Sequence, residues 1–205
     1  RVRPALNCRP DAPLTDPATR AAMCGAGRLP ADKKAEEIEV EINLNADLGE
    51  SFGAWRMGDD RALLAVIGSA NVACGFHAGD PLVMTETVRL AGEAGVSLGA
   101  HPAFPDLQGF GRREMQLSPR ELSTVVTYQV GALMGIAQSQ GQRVTHVKPH
   151  GAMSNMACQD AAMAATIAAA VKAIDAQLIL LAPALSELAA AGRAAGLRVA
   201  DEVFA

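Results

Sequence analysis

The stretch that decides the fold is "SANVACGFHAGDPLVMTETVRLAGEAGVSLGAH", residues 69–101. It opens with a short apolar run over 69–75, which is typical of a buried strand. Asp80 followed by Pro81 marks a helix start, because aspartate caps free backbone N–H groups and proline suits the first helical position. A second apolar run over 96–101 follows the helix. The stretch therefore predicts a strand, a helix and a second strand parallel to the first.

The same alternation continues on both sides of this unit. Strands are predicted over 39–45, 69–75, 96–101, 143–150, 176–183 and 197–204. Helices are predicted over 59–68, 80–95, 118–141, 159–175 and 184–196. Short strands that alternate with helices indicate an α/β fold with a parallel sheet, either an open doubly wound sheet or a closed barrel. In both architectures ligands bind at the carboxyl ends of the strands, where the strand-to-helix loops meet.

The first 38 residues differ from the rest of the chain. They are rich in proline, contain no aromatic residue and carry scattered charges. Such a composition does not supply an apolar face that could be buried. We therefore expect a flexible N-terminal extension over 1–38 and one globular domain over 39–205.

Composition and charge exclude several classes of function. Half of the 205 residues are hydrophobic, and the formal net charge is −4 with dispersed basic residues, which predicts no binding to nucleic acid or to an anionic membrane. No apolar run approaches the roughly 20 residues that cross a bilayer. Cys8, Cys24, Cys74 and Cys158 are widely spaced and form no CxxC pair. We therefore expect reduced thiols in a soluble, cytoplasmic protein.

The unusual polar residues follow the predicted strands. They are Asp47 and Glu50 after the first strand, Cys74, His77 and Asp80 after the second, His101 and Asp106 after the third, and His146, Lys148 and His150 at the end of the fourth. All four histidines are thereby predicted to lie at one end of the sheet. In "HVKPH", residues 146–150, the spacing of two places three side chains on one face of the strand. Glycines and prolines constrain the same loops, and preorganised polar groups are what a catalytic site requires.

Four motifs occur in this order along the chain: "LNADLGES", "SANVACGFHAGDP", "GAHPAFPDLQGFGRR" and "HVKPHGA". Together they resemble the LamB/YcsF family of lactam-utilisation proteins, over residues 42–205. The resemblance implies a seven-stranded β/α barrel of the glycoside hydrolase and deacetylase type. It also implies the role of the A subunit in an ATP-dependent 5-oxoprolinase, which opens the lactam ring of 5-oxoproline to L-glutamate together with B and C subunits.

Opening an unstrained lactam requires an activated carbonyl group or strong stabilisation of the oxyanion, because the amide is a poor electrophile. We expect Asp47 or His77 to act as general base, and Lys148 and His150 to stabilise the developing negative charge. A second group is expected to bind substrate: Asn45, Glu50, Asp80, His101, Arg112 and Arg113. The two arginines suit a carboxylate or a phosphate, because a guanidinium group donates two parallel hydrogen bonds to such groups. A solvated pair of loop residues fits the two arginines equally well.

The site for ATP is not evident in the sequence. The chain has no GxxxxGK[ST] loop, and the glycine spacing of "GFGRRE" is not that of a dinucleotide-binding motif. Either a partner subunit binds the nucleotide, or this barrel binds it through loops of another kind.

Two other functions fit the same residues. Asp47, His77, His101 and His150 offer a carboxylate and three imidazoles, which is enough to hold a divalent metal ion with an open position. The chain would then be a stand-alone, metal-dependent, deacetylase-like amide hydrolase. In the other alternative it is a non-catalytic subunit that binds the substrate for its partners. Cys74 is interpreted as a core residue rather than as a nucleophile.

The resemblance also bears on the end of the chain. The family continues beyond "EVFA" with a further helix and a last strand, which implies that the barrel over 39–205 is C-terminally incomplete. A barrel that lacks its last strand has two unpaired edges, and such edges favour association. We therefore expect either a fragment of a longer protein or a homo-oligomer.

Overall fold

A computed structural model describes residues 42–204 of the chain. Its strands are β1 (Asn45–Leu48), β2 (Ser69–Ala73), β3 (Ser97–His101), β4 (Val144–Val147), β5 (Ile179–Pro183) and β6 (Arg198–Glu202). Its helices are α1 (Asp60–Leu64), α2 (Pro81–Ala94), α3 (Pro119–Ser139), α4 (Gly151–Ala157), α5 (Ala161–Ile174) and α6 (Glu187–Ala194). The flexible extension expected over 1–38 lies outside the described residues.

The six strands form one parallel sheet in the order in which they occur along the chain. Each strand pairs in parallel with the next, from β1 to β6. This arrangement confirms the predicted α/β fold with a parallel sheet. The seven strands implied by the resemblance are not confirmed, because residues 42–204 contain six. β1 and β6 are the two edge strands of this sheet.

α2 begins directly after Asp80, the capping residue that the sequence predicts, and α3 begins directly after Ser118, the first residue of the predicted helix over 118–141. The Asp80 side chain accepts hydrogen bonds from the backbone N–H groups of Leu82 and Val83 at the start of α2. Ser118 and Glu121 form a reciprocal capping box at the start of α3, with Pro119 at the first helical position. Because these side chains satisfy donors that the helix itself cannot, they fix where each helix begins.

One apolar core joins the sheet to its helices. Val72, Leu98 and Leu180 of the strands belong to the same buried cluster as Val126 and Leu133 of α3. Burying an aliphatic side chain of this size stabilises the fold by about 1.5–3 kcal/mol. The core thus holds the strands in place and leaves their carboxyl ends free to carry polar groups.

The first strand lies later in the chain than predicted. Ile42 and Leu44, which the prediction over 39–45 placed in a strand, precede β1 and are exposed. The alternation of charged and apolar residues favoured the earlier strand, but the parallel register with Ser69–Val72 of β2 selects Asn45–Leu48. As a result, Asp47 lies within a strand and not in the loop that follows it.

The fourth strand ends earlier than predicted, and a helix that was not predicted follows it. β4 stops at Val147, and α4 begins at Gly151. Pro149 has no backbone N–H group with which to extend the ladder of hydrogen bonds. His150 therefore stands at the N-cap of α4 and is not a strand residue on the same face as His146.

Within the described residues, no single helix combines the length and apolarity needed to cross a membrane. α4 and α5 reach that apolar length only when they are counted together, and they meet at a bend of 117°.

Candidate active site

Seven of the expected site residues lie close together, six of them near or just after the carboxyl ends of the strands and Asn45 at the start of β1. Asn45 and Asp47 come from β1, Glu50 from the turn after it, His77 from the loop after β2, His101 from the end of β3, and Lys148 and His150 from the segment after β4. The main chains of these segments are joined, since the N–H of Lys148 donates to Ala100 and that of His150 donates to Pro102. The convergence follows from parallel strands whose carboxyl ends all point the same way.

A polar network fills the sheet interior below this rim. The Asn71 side chain of β2 donates to Asn45 Oδ1 at 2.7 Å and to Asp47 Oδ1 at 2.9 Å. Lys148 Nζ lies 3.2 Å from both of these oxygens. The network thus fixes the orientation of the Asp47 carboxylate from two sides.

Lys148 also contacts the last strand of the sheet. Its ammonium nitrogen lies 2.8 Å from Glu202 Oε1 of β6, and both side chains are nearly buried. Since Lys148 contacts Asp47 of β1 as well, this one side chain connects the two edge strands. The sequence analysis did not identify Glu202 as a site residue.

The Asp47 carboxylate is strongly stabilised as the anion. Burial alone would raise its pKa, but the contacts with His101 and Asn71 and the charge of Lys148 hold the pKa of Asp47 well below its usual range. An oxygen that binds a proton so weakly is a poor general base. Asp47 is better suited to hold a cation or to orient His101.

His101 and His150 face each other across the rim. His150 Nδ1 lies 3.0 Å from His101 Nε2. On the far side of each ring the other nitrogen contacts a main-chain carbonyl: His101 Nδ1 lies 2.6 Å from Lys148 O, and His150 Nε2 lies 2.8 Å from Phe110 O. The two rings are therefore held in place by the backbone.

His77 and Glu50 form the second half of the rim. The His77 ring stacks on His150, with centroids 3.9 Å apart, and its Nε2 lies 3.1 Å from Glu50 Oε1. Burial lowers the pKa of His77 to about 3 and that of His150 to about 4, whereas burial raises the pKa of the Glu50 carboxyl. Among these groups Glu50 is thus the one whose affinity for a proton is increased.

Four side chains at the rim, which we call the histidine cluster, are arranged so that they could hold a metal ion. One ligand atom from each of Glu50, His77, His101 and His150 lies within 4.8 Å of the others. The expected ligand set had Asp47 in place of Glu50. Asp47 Oδ2 lies 3.3 Å from His101 Nε2, so this carboxylate borders the cluster.

A tightly folded loop over 106–113 supplies the carbonyl group that holds His150. Asp106 accepts hydrogen bonds from the backbone N–H of Gly109 and from the Arg113 side chain. Gly111 has φ +65°, and a Cβ atom there would lie 2.9 Å from atoms of both His77 and His150. Glycine at 111 is therefore required for the close approach of the loop to the two rings.

The structure separates the roles of the two arginines in "GFGRR". Arg113 forms an ion pair with Asp106 within the loop, which accounts for it structurally. The Arg112 guanidinium lies over the Phe110 ring, 5.4 Å from its centroid, and its charge acts on Glu50. Arg112 is thus the arginine that remains able to contact a ligand at the rim.

His146 does not join the other three histidines. Its Nε2 lies 3.0 Å from Asn71 Oδ1, within the sheet interior. Gly99 of β3 makes room for the ring, because a Cβ atom there would overlap His146 Nε2. All four histidines were predicted to lie at one end of the sheet, but His146 faces the sheet interior and does not belong to the histidine cluster.

Asp80 and Cys74 also have structural partners. Besides capping α2, Asp80 accepts a hydrogen bond from Gly53 N at 2.7 Å, and none of its hydrogen bonds is to the histidine cluster. The Cys74 thiol is buried and free, and burial raises its pKa to about 12. A thiol with that pKa is not a nucleophile at neutral pH, which agrees with the interpretation of Cys74 as a core residue.

Sequence reasoning missed Asn71, Phe110 and Glu202. A signal existed for Asn71, because the polar residues Ser69 and Asn71 alternate with the apolar residues Ala70 and Val72 in β2. Successive side chains of a strand point to opposite faces, so Asn71 is expected to face a polar interior. Phe110 acts through its carbonyl oxygen, which carries no sequence signal. Glu202 is far from the motifs along the chain and is brought to Lys148 only by the order of the strands.

The fold and this site define an α/β protein in which parallel strands present a centre of histidines and carboxylates at their carboxyl ends. The chain belongs to the LamB/YcsF family, whose model matches residues 42–205. The family that the four motifs implied is thereby confirmed.

The chain is similar to several proteins that are named as the A subunit of 5-oxoprolinase. It is 70% identical over 166 residues to the one from Azoarcus sp. (strain BH72), covering 81% of this chain and 65% of that protein. It is 64% identical over 164 residues to the one from Methylococcus capsulatus, covering 80% and 63%. The chain thus spans slightly less than two thirds of the length of these curated relatives.

The fold is similar to that of a lactam utilization protein from Thermus thermophilus, known from a crystal structure. The TM-score is 0.79 at 50% sequence identity, over 80% of this chain and 67% of that chain. The six-stranded parallel sheet described above therefore has the architecture of a solved member of the lactam-utilisation group.

Proposed function

We propose that this chain acts as the A subunit of an enzyme that opens the lactam ring of 5-oxoproline to L-glutamate, in an ATP-driven reaction shared with B and C subunits. The observation that carries the proposal is the convergence of acidic, basic and imidazole groups at one rim of the sheet. Its support from relatives is the 70% identity to a protein named as the A subunit of 5-oxoprolinase. In this chain no GxxxxGK[ST] loop is present, so we assign ATP to one of the partner proteins.

In the proposed reaction a water oxygen bonds to the ring carbonyl carbon, the C–N bond breaks, and the released nitrogen takes up a proton. Glu50 accepts the proton of the attacking water, because burial raises its pKa and its side chain is still 18% exposed. This assignment replaces Asp47 and His77, whose pKa values are lowered. His77 orients Glu50 through the contact at 3.1 Å.

The remaining groups stabilise charge and hold the substrate. Lys148 carries positive charge toward the rim, where the carbonyl oxygen becomes an anion. His150 is not assigned this role, because its pKa is lowered to about 4 and its Nε2 is bound to Phe110 O. Arg112 binds the carboxylate of 5-oxoproline by two parallel hydrogen bonds. Asn45 and His101 keep the roles of polar contacts at the base of the site.

Ligand-dependent thermal unfolding tests whether this chain carries the substrate site. A ligand that binds only the folded state raises the free energy of unfolding by mass action, by about 2.7 kcal/mol at one hundred times its Kd, and the unfolding midpoint rises with it. We expect 5-oxoproline to raise the Tm and L-proline, which has the same ring without the lactam carbonyl, to leave it unchanged. Equal shifts with both compounds, or none with either, would contradict the proposal.

The histidine cluster favours one further candidate, a metal-dependent amide hydrolase that works without partners. The observation behind it is the set of four ligand atoms within 4.8 Å of one another. Glutamate release from 5-oxoproline distinguishes the two candidates. Release that requires both ATP and the partner subunits supports the first, and release by the chain alone with a divalent metal supports the second.

A further inference from the structure

The contact between His101 and His150 brings together two ring nitrogens that both lack a proton when the two imidazoles are neutral. A main-chain carbonyl oxygen can only accept a hydrogen bond. His101 Nδ1 lies 2.6 Å from Lys148 O, so it carries the N–H, and His150 Nε2 lies 2.8 Å from Phe110 O, so it carries the N–H too. A neutral imidazole has one N–H group. His101 Nε2 and His150 Nδ1 therefore present lone pairs to each other at 3.0 Å.

Two carboxylates add negative charge on either side of these lone pairs. Asp47 Oδ2 lies 3.3 Å from His101 Nε2, and Glu50 Oε1 lies 3.8 Å from His150 Nδ1. His101 and His150 are almost fully buried, so water screens this repulsion only weakly. Either a proton on one of the rings or a metal ion between them removes this repulsion, and the geometry described next favours the metal ion.

The backbone contacts of the two rings also match the usual arrangement of histidines that bind metals. Histidines that bind metals typically donate the other ring N–H to a carbonyl or a carboxylate, which sets the tautomer and aims the free nitrogen. Both His101 and His150 have this arrangement, with backbone carbonyls from two different loops.

The separations of the donor atoms also fit one ion. Bonds of about 2.0–2.1 Å at a tetrahedral angle place two ligand atoms about 3.3 Å apart. The distances of 3.0 Å between the two nitrogens and 3.3 Å from Asp47 to His101 are close to that value. Gly111 allows the loop to approach His150 closely enough for this geometry.

We propose that His101 Nε2 and His150 Nδ1, together with at least one of the flanking carboxylates of Asp47 and Glu50, form a binding site for one divalent transition-metal ion of the zinc type. Imidazole nitrogen with carboxylate oxygen selects zinc, cobalt or nickel over magnesium and calcium, which prefer oxygen ligands. The proposal stands on the geometry of the cluster and not on the proposed reaction. Metal binding without ring opening, or ring opening without metal, therefore distinguishes the failure of one proposal from that of the other.

The experiment titrates the purified protein, first stripped of metal with a chelator, with Co²⁺ alone. Visible absorption bands report the ligand field of the bound ion, and mass spectrometry of the metal content reports the stoichiometry. We expect one Co²⁺ per chain, displaced by Zn²⁺ and not by Mg²⁺. His101→Gln and His150→Gln are each expected to weaken binding by about 100-fold or more, since even changes beyond the ligands themselves weaken metal binding about 10–100-fold.

His146→Gln is the matched control, because it removes a buried histidine that does not belong to the cluster. It is expected to keep the stoichiometry and the spectrum. X-ray absorption of Co²⁺ bound to the unmodified protein gives a second readout that does not depend on how the variants fold, and it is expected to show two imidazole ligands. No uptake of Co²⁺, a shell of oxygen atoms alone, or equal loss of binding in His146→Gln would overturn the proposal. The first of these outcomes would indicate that a proton shared by the two rings relieves their repulsion.

Discussion

Lys148 Nζ lies 2.8 Å from Glu202 Oε1, and this contact joins the centre of the sheet to its last strand. Lys148 also lies 3.2 Å from Asp47 on the first strand, so one ammonium group is shared between carboxylates of β1 and β6. Removing one partner of a buried ion pair leaves the other charge without compensation. The contact thus couples the electrostatics of the site to the stability of the sheet.

We expect Lys148→Met to lower the free energy of unfolding by about 3–5 kcal/mol, because two carboxylates lose their cation. Glu202→Gln is expected to lower the free energy of unfolding less in the Lys148→Met variant than in the unmodified protein. The difference is the coupling energy of the pair, expected to be about 1–3 kcal/mol. Chemical denaturation of the two single variants and the double variant measures this coupling. Strictly additive effects would show that the contact does not contribute to stability.

Gly99→Ala tests the close packing of β3 against His146. The added Cβ would overlap the His146 Nε2 atom, so the buried ring must move, at a cost of about 1–3 kcal/mol in the free energy of unfolding. Gly131→Ala in α3 is the control, since a Cβ there meets no atom within 4 Å, and alanine stabilises a helix by about 0.5–1 kcal/mol over glycine. In urea denaturation we expect Gly99→Ala to lower the free energy of unfolding and Gly131→Ala to raise it. Equal changes in the two variants would contradict the close packing of Gly99 against His146.

Asp106→Asn tests the loop that holds His150 through the response of stability to acid. The hydrogen bond and charge of Arg113 lower the pKa of Asp106 to about 2 from 3.8. Because the pKa is depressed in the folded state, the stabilisation is complete above pH 4 and disappears as the pH falls toward 2. We expect the Asn variant to have a lower Tm at neutral pH, with a difference that shrinks between pH 4 and pH 2. A difference that is constant over this range would contradict the role of the Asp106 charge.

Arg112→Gln and Arg113→Gln form a pair that separates ligand binding from loop stability. Loss of the charge-assisted hydrogen bonds from Arg112 should raise the Kd for 5-oxoproline by about 10–100-fold, equivalent to about 1.5–3 kcal/mol, without changing the Tm. Arg113 is bound to Asp106, so its loss should lower the Tm and leave the Kd within a factor of a few. Calorimetric titration and thermal unfolding measure the two effects, and the reverse pattern would exchange the assignments.

Glu50→Gln tests the proposed proton acceptor. The amide keeps the size of the side chain and cannot take up the proton, so kcat for glutamate formation is expected to fall by about 10²–10⁴-fold, with little change in the Kd for 5-oxoproline. Glu93→Gln, on the exposed surface of α2, is the matched control and should retain full activity. A variant Glu50→Gln with kcat within about tenfold of the parent would exclude this role.

Periodicity and capping chemistry sufficed to predict most of the sheet and the long helices, because those signals are local. β2 and β3 fall where the apolar runs lie, and α2 and α3 begin directly after Asp80 and Ser118, the first residues of the two predicted helices. The shift of β1 could not be predicted in the same way, because pairing with β2 and not the local alternation of residues decides its register. The helix α4 was missed because its seven residues carry no amphipathic pattern long enough to stand out.

For the site, position along a strand predicted the neighbourhood of each residue but not its orientation. His101 and His150 meet as expected, whereas His146 is only four residues from His150 and faces the sheet interior instead. The contact of Asn71 with Asp47 and that of Glu202 with Lys148 join residues 24 and 54 positions apart along the chain. Such contacts depend on the folded sheet, and the sequence offers no local signal for them.

The carbonyl groups that hold His101 and His150 belong to the main chain at Lys148 and Phe110. Because every amino acid carries the same carbonyl, substitutions at these two positions leave the acceptors in place. Changes in the length of the loop would move them, since a single inserted or deleted residue between Asp106 and Gly111 displaces the oxygen from the ring. Over evolutionary time the two carbonyl acceptors themselves are therefore expected to be lost through insertions and deletions rather than through substitutions.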